Sequence, residues 1–235
     1  MTRMKTLCMA LFAVFALGAA FTATSALAFE LPDVHTLSDV GYPVTGEGTL
    51  ENGGAIVSEL ETEIGEKLTA TSVNAKATLT TLSSLGPGTL KFNGVTEPKS
   101  KTLCKSTNVT TKGEVLFTGE YHVVVADTAL TKPAILILFP ELTVECNEGK
   151  LKIKVKAPAL IKLEGVKSGT DVEKYGLVAN CTPKGKQELK EYVNDSGVLT
   201  KGALTANFGL GAEAACERAT KELVITSSAM VDFLF

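Results

Sequence analysis

The sequence contains no tryptophan, and only two of its 235 residues are histidine. His35 lies in a segment, 31–41, that we interpret as a loose N-terminal arm, and His122 lies within a predicted strand, where a single histidine is usually structural. A zinc site of the His-Glu-x-x-His type is therefore excluded. The sequence also lacks a phosphate-binding loop, an EF-hand loop and a Gly-x-Ser-x-Gly turn. We assign no catalytic residue and expect neither a metal nor a cofactor.

Positive charge is also scarce. Lysine and arginine number 23 against 26 acidic residues, which gives a formal net charge of −3 at neutral pH. A mildly acidic protein is a poor candidate for binding nucleic acid or an anionic membrane surface. We therefore expect no nucleic-acid partner and no stable membrane insertion, and the sequence assigns neither another partner nor an oligomeric state.

Residues 1–28 are typical of a secretory signal peptide. Two basic residues precede an almost unbroken apolar run at 7–20, and the segment ends in Ala26-Leu27-Ala28, which signal peptidase accepts. A membrane anchor is the alternative, but the apolar run is shorter than the roughly 20 residues of a spanning helix. We predict cleavage before Phe29, so that residues 29–235 form a secreted or cell-surface β-rich domain.

The cysteines predict disulfides. Cys8 leaves with the signal peptide, and an even number of cysteines then remains in an exported chain, which favours two disulfides. A zinc site is disfavoured because no Cys-x-x-Cys pair is present. Four cysteines allow three connectivities, and spacing alone does not choose among them. The four are Cys104, Cys146, Cys181 and Cys216.

Strand order favours one of these connectivities. Residues 114–127 and 134–146 should form an antiparallel hairpin, which brings Cys146 opposite the segment that leaves Cys104. The later strands should return the chain in the same way to the second cysteine pair. Sequential pairing also closes the shortest loops. We therefore predict the bonds Cys104–Cys146 and Cys181–Cys216.

Strand patterns recur along the mature chain, separated by turns rich in glycine, proline and asparagine. The clearest strand is 150–163, where apolar residues alternate with lysines, so that one face meets a core and the other meets water. Pro158 interrupts this strand, which predicts an edge position or a bend. Residues 134–139 are uniformly apolar and predict a strand buried on both faces. Further predicted strands lie at 120–127, 141–146, 175–181, 187–193, 198–208 and 222–235.

Residues 56–81 allow two interpretations. Apolar residues from Val57 to Leu68 have helical spacing, but Gly65 interrupts them, and residues 73–79 alternate as a strand does. We favour strands with a turn near Gly65. The whole pattern predicts an all-β fold, either an antiparallel β-sandwich or a barrel-like single domain, with two lobes as a variant.

A group of carboxylates is the one concentration of potentially reactive side chains. Glu59, Glu61, Glu63 and Glu66 could bind calcium or supply an acid and base pair. The simpler interpretation is the solvated face of a strand or hairpin. We therefore place no metal site and no catalytic site on them.

Several stretches resemble a family of uncharacterised secreted bacterial proteins. The similarity covers most of the mature chain and implies export, but no activity is assigned to that family, so no functional residue is carried over. The stretches are residues 84–90 (SLGPGTL), 119–124 (GEYHVV), 142–146 (LTVEC) with 150–154 (KLKIK), and 206–211 (ANFGLG) through Cys216.

These observations favour a non-enzymatic secreted or cell-surface β protein with a binding or structural role. A secreted hydrolase that uses carboxylates such as Glu59 and Glu61 is the first alternative. An outer-membrane β-barrel is the second, because Val231, Phe233 and Phe235 alternate as in a terminal barrel strand. The lack of tryptophan, the four tyrosines and the four mature cysteines disfavour that barrel.

Overall fold

The computed structural model describes residues 33–36, 43–80, 86–126, 131–194 and 198–234. The predicted signal peptide, residues 1–28, and its cleavage point lie outside the described residues. The described chain consists of antiparallel β-strands and one 3₁₀ turn at Asn147–Gly149, which confirms the all-β prediction. Within these ranges, no helix has the length and apolar character needed to cross a membrane.

Eight strands of the first sheet close into a ring that we call the long-strand ring, because β2 pairs with both β5 and β19. A ninth strand, β1 (Asp33–Thr36), pairs with β19 beside this ring. Around the ring the order is β19-β14-β13-β10-β9-β6-β5-β2. The strands are β2 (Val44–Glu51), β5 (Ser72–Leu79), β6 (Gly86–Asn93), β9 (Glu114–Val125), β10 (Pro133–Leu138), β13 (Ala159–Glu164), β14 (Asp171–Val178) and β19 (Leu223–Leu234).

The second sheet is a closed barrel, which we call the short-strand ring, with the order β3-β4-β7-β8-β11-β12-β17-β18. A separate hairpin of β15 (Glu191–Val193) and β16 (Leu199–Lys201) belongs to neither ring. The ring strands are β3 (Ser58–Thr62), β4 (Lys67–Ala70), β7 (Thr96–Glu97), β8 (Thr102–Ser106), β11 (Leu142–Cys146), β12 (Leu151–Lys156), β17 (Thr205–Asn207) and β18 (Glu213–Ala219).

The two rings have corresponding strand orders because each strand of one ring is joined along the chain to a strand at the same position of the other ring. Only Thr71 separates β4 from β5, and only Ala157 and Pro158 separate β12 from β13. The one long passage is 179–204, between β14 and β17, and it contains the β15–β16 hairpin. We call the level at which these connecting segments lie the waist. The waist includes Thr71 and residues 94–95, 157–158 and 179–204. The protein is thus an up-and-down meander whose strands are each divided in two at the waist.

The predicted strand at 150–163 is one of these divided strands. Ile153 and Val155 are buried and Lys152 and Lys154 are exposed, so the alternation is confirmed. The bend at Pro158 is confirmed, but the edge position is wrong: β12 lies between β11 and β17, and β13 lies between β10 and β14. Proline has no N–H to donate to a ladder. Because the ladder is interrupted at the waist, Pro158 is tolerated there although the strand does not lie at a sheet edge.

The strand predicted at 134–139 is buried on both faces over residues 134–137, whereas Leu138 is exposed. In β10, Ile135 and Ile137 belong to the central core. Ala134 and Leu136 belong to a second cluster on the other face of the strand, which Leu189 and Tyr192 cover. The segment that leads into the β15–β16 hairpin therefore shields apolar side chains on that face.

Two other predictions concern the first half of the chain. Residues 56–81 form strands with a turn between β3 and β4, as favoured. The prediction of a loose arm at 31–41 is wrong in part, because β1 lies within it and His35 pairs with Asp232 of β19. β2 pairs with β19 only at Thr226 and Ser227, which leaves the later residues of β19 without a partner on that side. The short segment β1 pairs with these residues and so becomes a strand.

Both predicted disulfides are present. Cys104 and Cys146 lie directly opposite each other on β8 and β11, with their Cα atoms 4.1 Å apart. The β9–β10 hairpin continues through the waist into this pair, which is the geometry that the sequence predicts. Cys181 and Cys216, with Cα atoms 5.6 Å apart, join the long waist passage to β18.

Candidate binding cavity at the waist

A cavity of about 80 Å³ lies where the two rings meet. Its wall comes from both rings, with Leu60 and Leu68 from the short-strand ring and Leu90 and Ile137 from the long-strand ring. Most of the lining side chains are aliphatic or aromatic. An apolar enclosure with few polar groups is the usual form of a small-molecule site.

Three phenylalanines form an aromatic cluster in this wall. The ring centroids of Phe92 and Phe117 are 5.7 Å apart, and those of Phe117 and Phe139 are 4.7 Å apart, both in edge-to-face geometry. Phe92 and Phe117 belong to the long-strand ring, and Phe139 lies in the passage from β10 to β11. Edge-to-face contacts of this kind stabilise beyond the area that they bury.

Glu217 is the only ionisable side chain among the described residues that line the cavity. It lies on β18 between the inward-facing Ala215 and Ala219, so the period of two places its carboxylate inside the ring. The hydroxyl of the buried Ser58, on the neighbouring strand β3, donates a hydrogen bond to Glu217 Oε1 at 2.9 Å. The two residues approach because β18 and β3 pair where the short-strand ring closes.

Burial raises the pKa of Glu217 to about 7, although the hydrogen bond from Ser58 acts in the opposite direction. The Glu217 side chain lies deep in the protein but is only half-buried, because part of its surface faces the cavity. No basic side chain of the described chain pairs with it. Glu217 therefore changes charge near neutral pH, inside a largely apolar enclosure.

Tyr121, on β9, is a second polar group of the interior. Its hydroxyl is buried and has no hydrogen-bond partner among the described residues. Burial raises the pKa of this phenol, and the negative charge of Glu217 raises it further. The ring lies over Gly88, where a Cβ atom would come within 2.5 Å of it. Glycine at that position therefore makes room for the tyrosine.

The long waist passage forms one side of the cavity. Gln187 is buried there, accepts a hydrogen bond from the Leu160 N–H at 3.1 Å and donates to the Gly202 carbonyl at 3.3 Å. These bonds satisfy backbone groups that the interrupted ladder leaves unpaired. Asn180 also lines the cavity and is exposed, so the cavity reaches solvent near it. The Cys181–Cys216 bond ties this side to the strand that carries Glu217.

The carboxylates singled out in the sequence lie elsewhere. Lys67 Nζ is 3.4 Å from Glu59 Oε2 and 3.5 Å from Glu61 Oε1, and none of these three residues lines the cavity. Glu63 pairs with Lys186, and Glu66 pairs with Lys99. They form the charged outer surface that the simpler interpretation expects. In the described ranges, no three His, Cys, Asp or Glu side chains are grouped to hold a metal ion.

His122 is also outside the cavity wall. His122 is half-buried on β9, and its Nε2 lies 3.5 Å from Glu120 Oε2. Sequence reasoning missed Glu217, which one local pattern could have indicated. In the segment Glu213–Ala219 (EAACERA), a glutamate occupies the same strand face as two alanines, which is unusual for a solvated side chain.

Comparison with known proteins gives no relative. No protein-family model, no curated protein and no solved structure matches the chain significantly.

Proposed function

We propose that this protein is a non-enzymatic binding protein of the cell exterior, and that it holds a small, largely apolar molecule in the waist cavity. The observation that carries the proposal is the cavity of about 80 Å³, whose wall is mostly apolar and contains one carboxylate. The signal-peptide pattern of residues 1–28 supports export. The two disulfides are typical of proteins that work outside the cytoplasm.

The cavity volume limits the size of the ligand. An engineered apolar cavity of about 150 Å³ binds benzene, which has six carbon atoms. A cavity of about 80 Å³ therefore encloses about three or four non-hydrogen atoms. A longer molecule can be held by its end, with the remainder passing out beside the exposed Asn180.

Titration with 1-propanol and 1-butanol, followed by amide chemical shifts, tests the proposal. We expect saturable shifts at cavity residues such as Leu90 and Val144. Ala70→Leu, which adds bulk to the cavity wall, should weaken binding at least about tenfold, because the added side chain occupies the ligand volume. Ala55→Leu, at an exposed position, is the control and should bind normally. The absence of any saturable shift at lining residues would contradict the proposal.

The hydrolase alternative has less support. Glu59 and Glu61 are both paired with Lys67 on the outer side of β3, and neither lines the cavity. Hydrolysis of a glycan, ester or peptide that is lost in Glu59→Gln or Glu61→Gln would nevertheless establish it.

The outer-membrane alternative requires apolar side chains on the outside of the strands and polar ones within. Lys152 and Lys154 point outward and Ile153 and Val155 point inward, which favours an aqueous environment. Partition of the mature protein into detergent rather than buffer would reverse this interpretation.

A further inference from the structure

The cavity wall contains a carboxylate that the protein satisfies only in part. Ser58 donates to Glu217 Oε1, and no described donor contacts Oε2. None of the other described lining residues is ionisable, so the wall offers no positive charge to balance an ionised Glu217. A carboxylate enclosed by apolar groups is stabilised either by a proton or by an adjacent cation.

We propose that the ligand of the waist cavity is a small organic ammonium ion, which donates an N–H to the free oxygen of Glu217 while its alkyl part packs against the apolar wall. This inference rests on the proposed function, because it names the chemical class of the molecule that the same cavity takes.

Ligands of other charge fit the wall less well. A carboxylate ligand would bring a second negative charge next to Glu217, which is unfavourable in a medium of low dielectric constant. An alcohol can donate a hydrogen bond to Oε2 but leaves the buried charge unbalanced. An ammonium ion supplies both the donor and the charge, and a hydrogen bond between two charged groups is about twice as strong as one between neutral groups.

The aromatic cluster favours the same class. Phe92, Phe117 and Phe139 all line the cavity, and the faces of aromatic rings attract organic cations. The cavity volume accommodates three or four carbon atoms, so propylammonium is a suitable probe.

Two acidic groups of the neighbouring strand β3 are already paired. Across the β18–β3 pair, Glu59 and Glu61 lie beside Lys67, and Arg218 Nη2 lies 3.5 Å from Glu61 Oε2. These groups lie outside the cavity wall and do not compete for a ligand within it. Tyr121 is the remaining titratable group coupled to Glu217, and burial raises the pKa of its phenol far above the neutral range.

Binding of three probes that each contain three carbon atoms tests the inference. Propylammonium, 1-propanol and propionate are titrated at pH 8, where Glu217 is mostly ionised because burial raises its pKa only to about 7. We expect propylammonium to bind at least about tenfold more tightly than 1-propanol, and propionate to bind most weakly. In Glu217→Gln the advantage of propylammonium should disappear while 1-propanol still binds. Glu59→Gln, which removes a carboxylate outside the cavity wall, should keep the preference.

Proton release gives an independent measurement. At pH 6.5, propylammonium should expel a proton from Glu217, so the heat of binding should depend on the ionisation enthalpy of the buffer. Glu217→Gln should show no such dependence. Binding of 1-propanol without a preference for propylammonium would overturn this inference and leave the proposed function intact. Failure of all three probes to bind would overturn both.

Discussion

The two rings share one strand order but differ in how they are held together. Strands of the long-strand ring have between six and twelve residues, whereas those of the short-strand ring have between two and seven. Both disulfides involve the short-strand ring, through Cys104, Cys146 and Cys216. A short ladder has few hydrogen bonds, and covalent bonds there compensate for them. The difference shows that the covalent restraints are placed in the ring whose strands are shorter.

Removing the Cys104–Cys146 bond should have the largest effect on this contrast. The Cys104→Ala/Cys146→Ala variant should lose about 4 kcal/mol of unfolding free energy, because the bond closes a loop with a sequence separation of 42. Hydrogen exchange should accelerate most in the short-strand ring, for example at Ile153, while Ile135 of the long-strand ring stays protected. Equal loss of protection in both rings would break the contrast.

The buried carboxylate of the short-strand ring provides the second test. Because burial raises the folded-state pKa of Glu217 from 4.5 to about 7, the contribution of this group to stability is greatest below pH 4.5 and is lost as the pH rises through 7. The Glu217→Gln variant should not show this loss. Its unfolding free energy minus that of the parent protein should therefore be about 3 kcal/mol larger above pH 8 than at pH 4.

Urea unfolding of the Glu217→Gln variant at several pH values measures this effect. Glu59→Gln, a change on the neighbouring strand outside the cavity wall, is the control. A Glu217→Gln variant whose stability follows that of the parent protein at every pH would show that the charge of Glu217 costs nothing in the folded state.

The long-strand ring has its own weak point, where β2 meets β19 over only two residue pairs. A Cβ atom at Gly48 would lie 2.4 Å from the Val224 carbonyl oxygen, a backbone atom that cannot easily move. Gly48→Ala should therefore cost about 1–3 kcal/mol. Thr49→Ala, at the exposed neighbour, should change stability little. Denaturant unfolding of both variants measures these effects. Equal stability of the two variants would mean that the contact between β2 and β19 accommodates the added Cβ atom without strain.

The smallest effect is expected for the charges outside the short-strand ring. Lys67 contacts both Glu59 and Glu61, but its side chain is 36% exposed and solvent weakens these pairs. Lys67→Met should change the unfolding free energy by less than about 1 kcal/mol. A larger loss, measured by thermal unfolding, would mean that ion pairs and not disulfides hold this ring.

The sequence predicts the local part of the fold because strand periodicity is written in neighbouring residues. The alternation at 150–163 and the apolar run at 134–139 both indicate their strands correctly. The Cys104–Cys146 pairing follows from a single hairpin. Division into two rings has no such pattern, because an interruption as short as Thr71 resembles any other strand position.

The candidate site is less predictable for a related reason. Ser58 and Glu217 meet only because β3 and β18 close the short-strand ring, and these strands are far apart in sequence. Glu59 and Glu61 can be recognised as a group in the sequence because they are only two residues apart. Closeness along a strand places side chains on one surface, whereas a binding cavity is assembled by ring closure.

Ring closure also sets the order in which the molecule can be completed. The long-strand ring closes by pairing β2 with β19, and the short-strand ring closes by pairing β3 with β18. Neither closing pair can form until residues 213–234 have been synthesised, whereas the hairpins between them can form earlier. Both rings therefore remain open until the last two strands, β18 and β19, are available for pairing. The waist cavity, whose carboxylate lies on β18, is completed only after the chain has emerged.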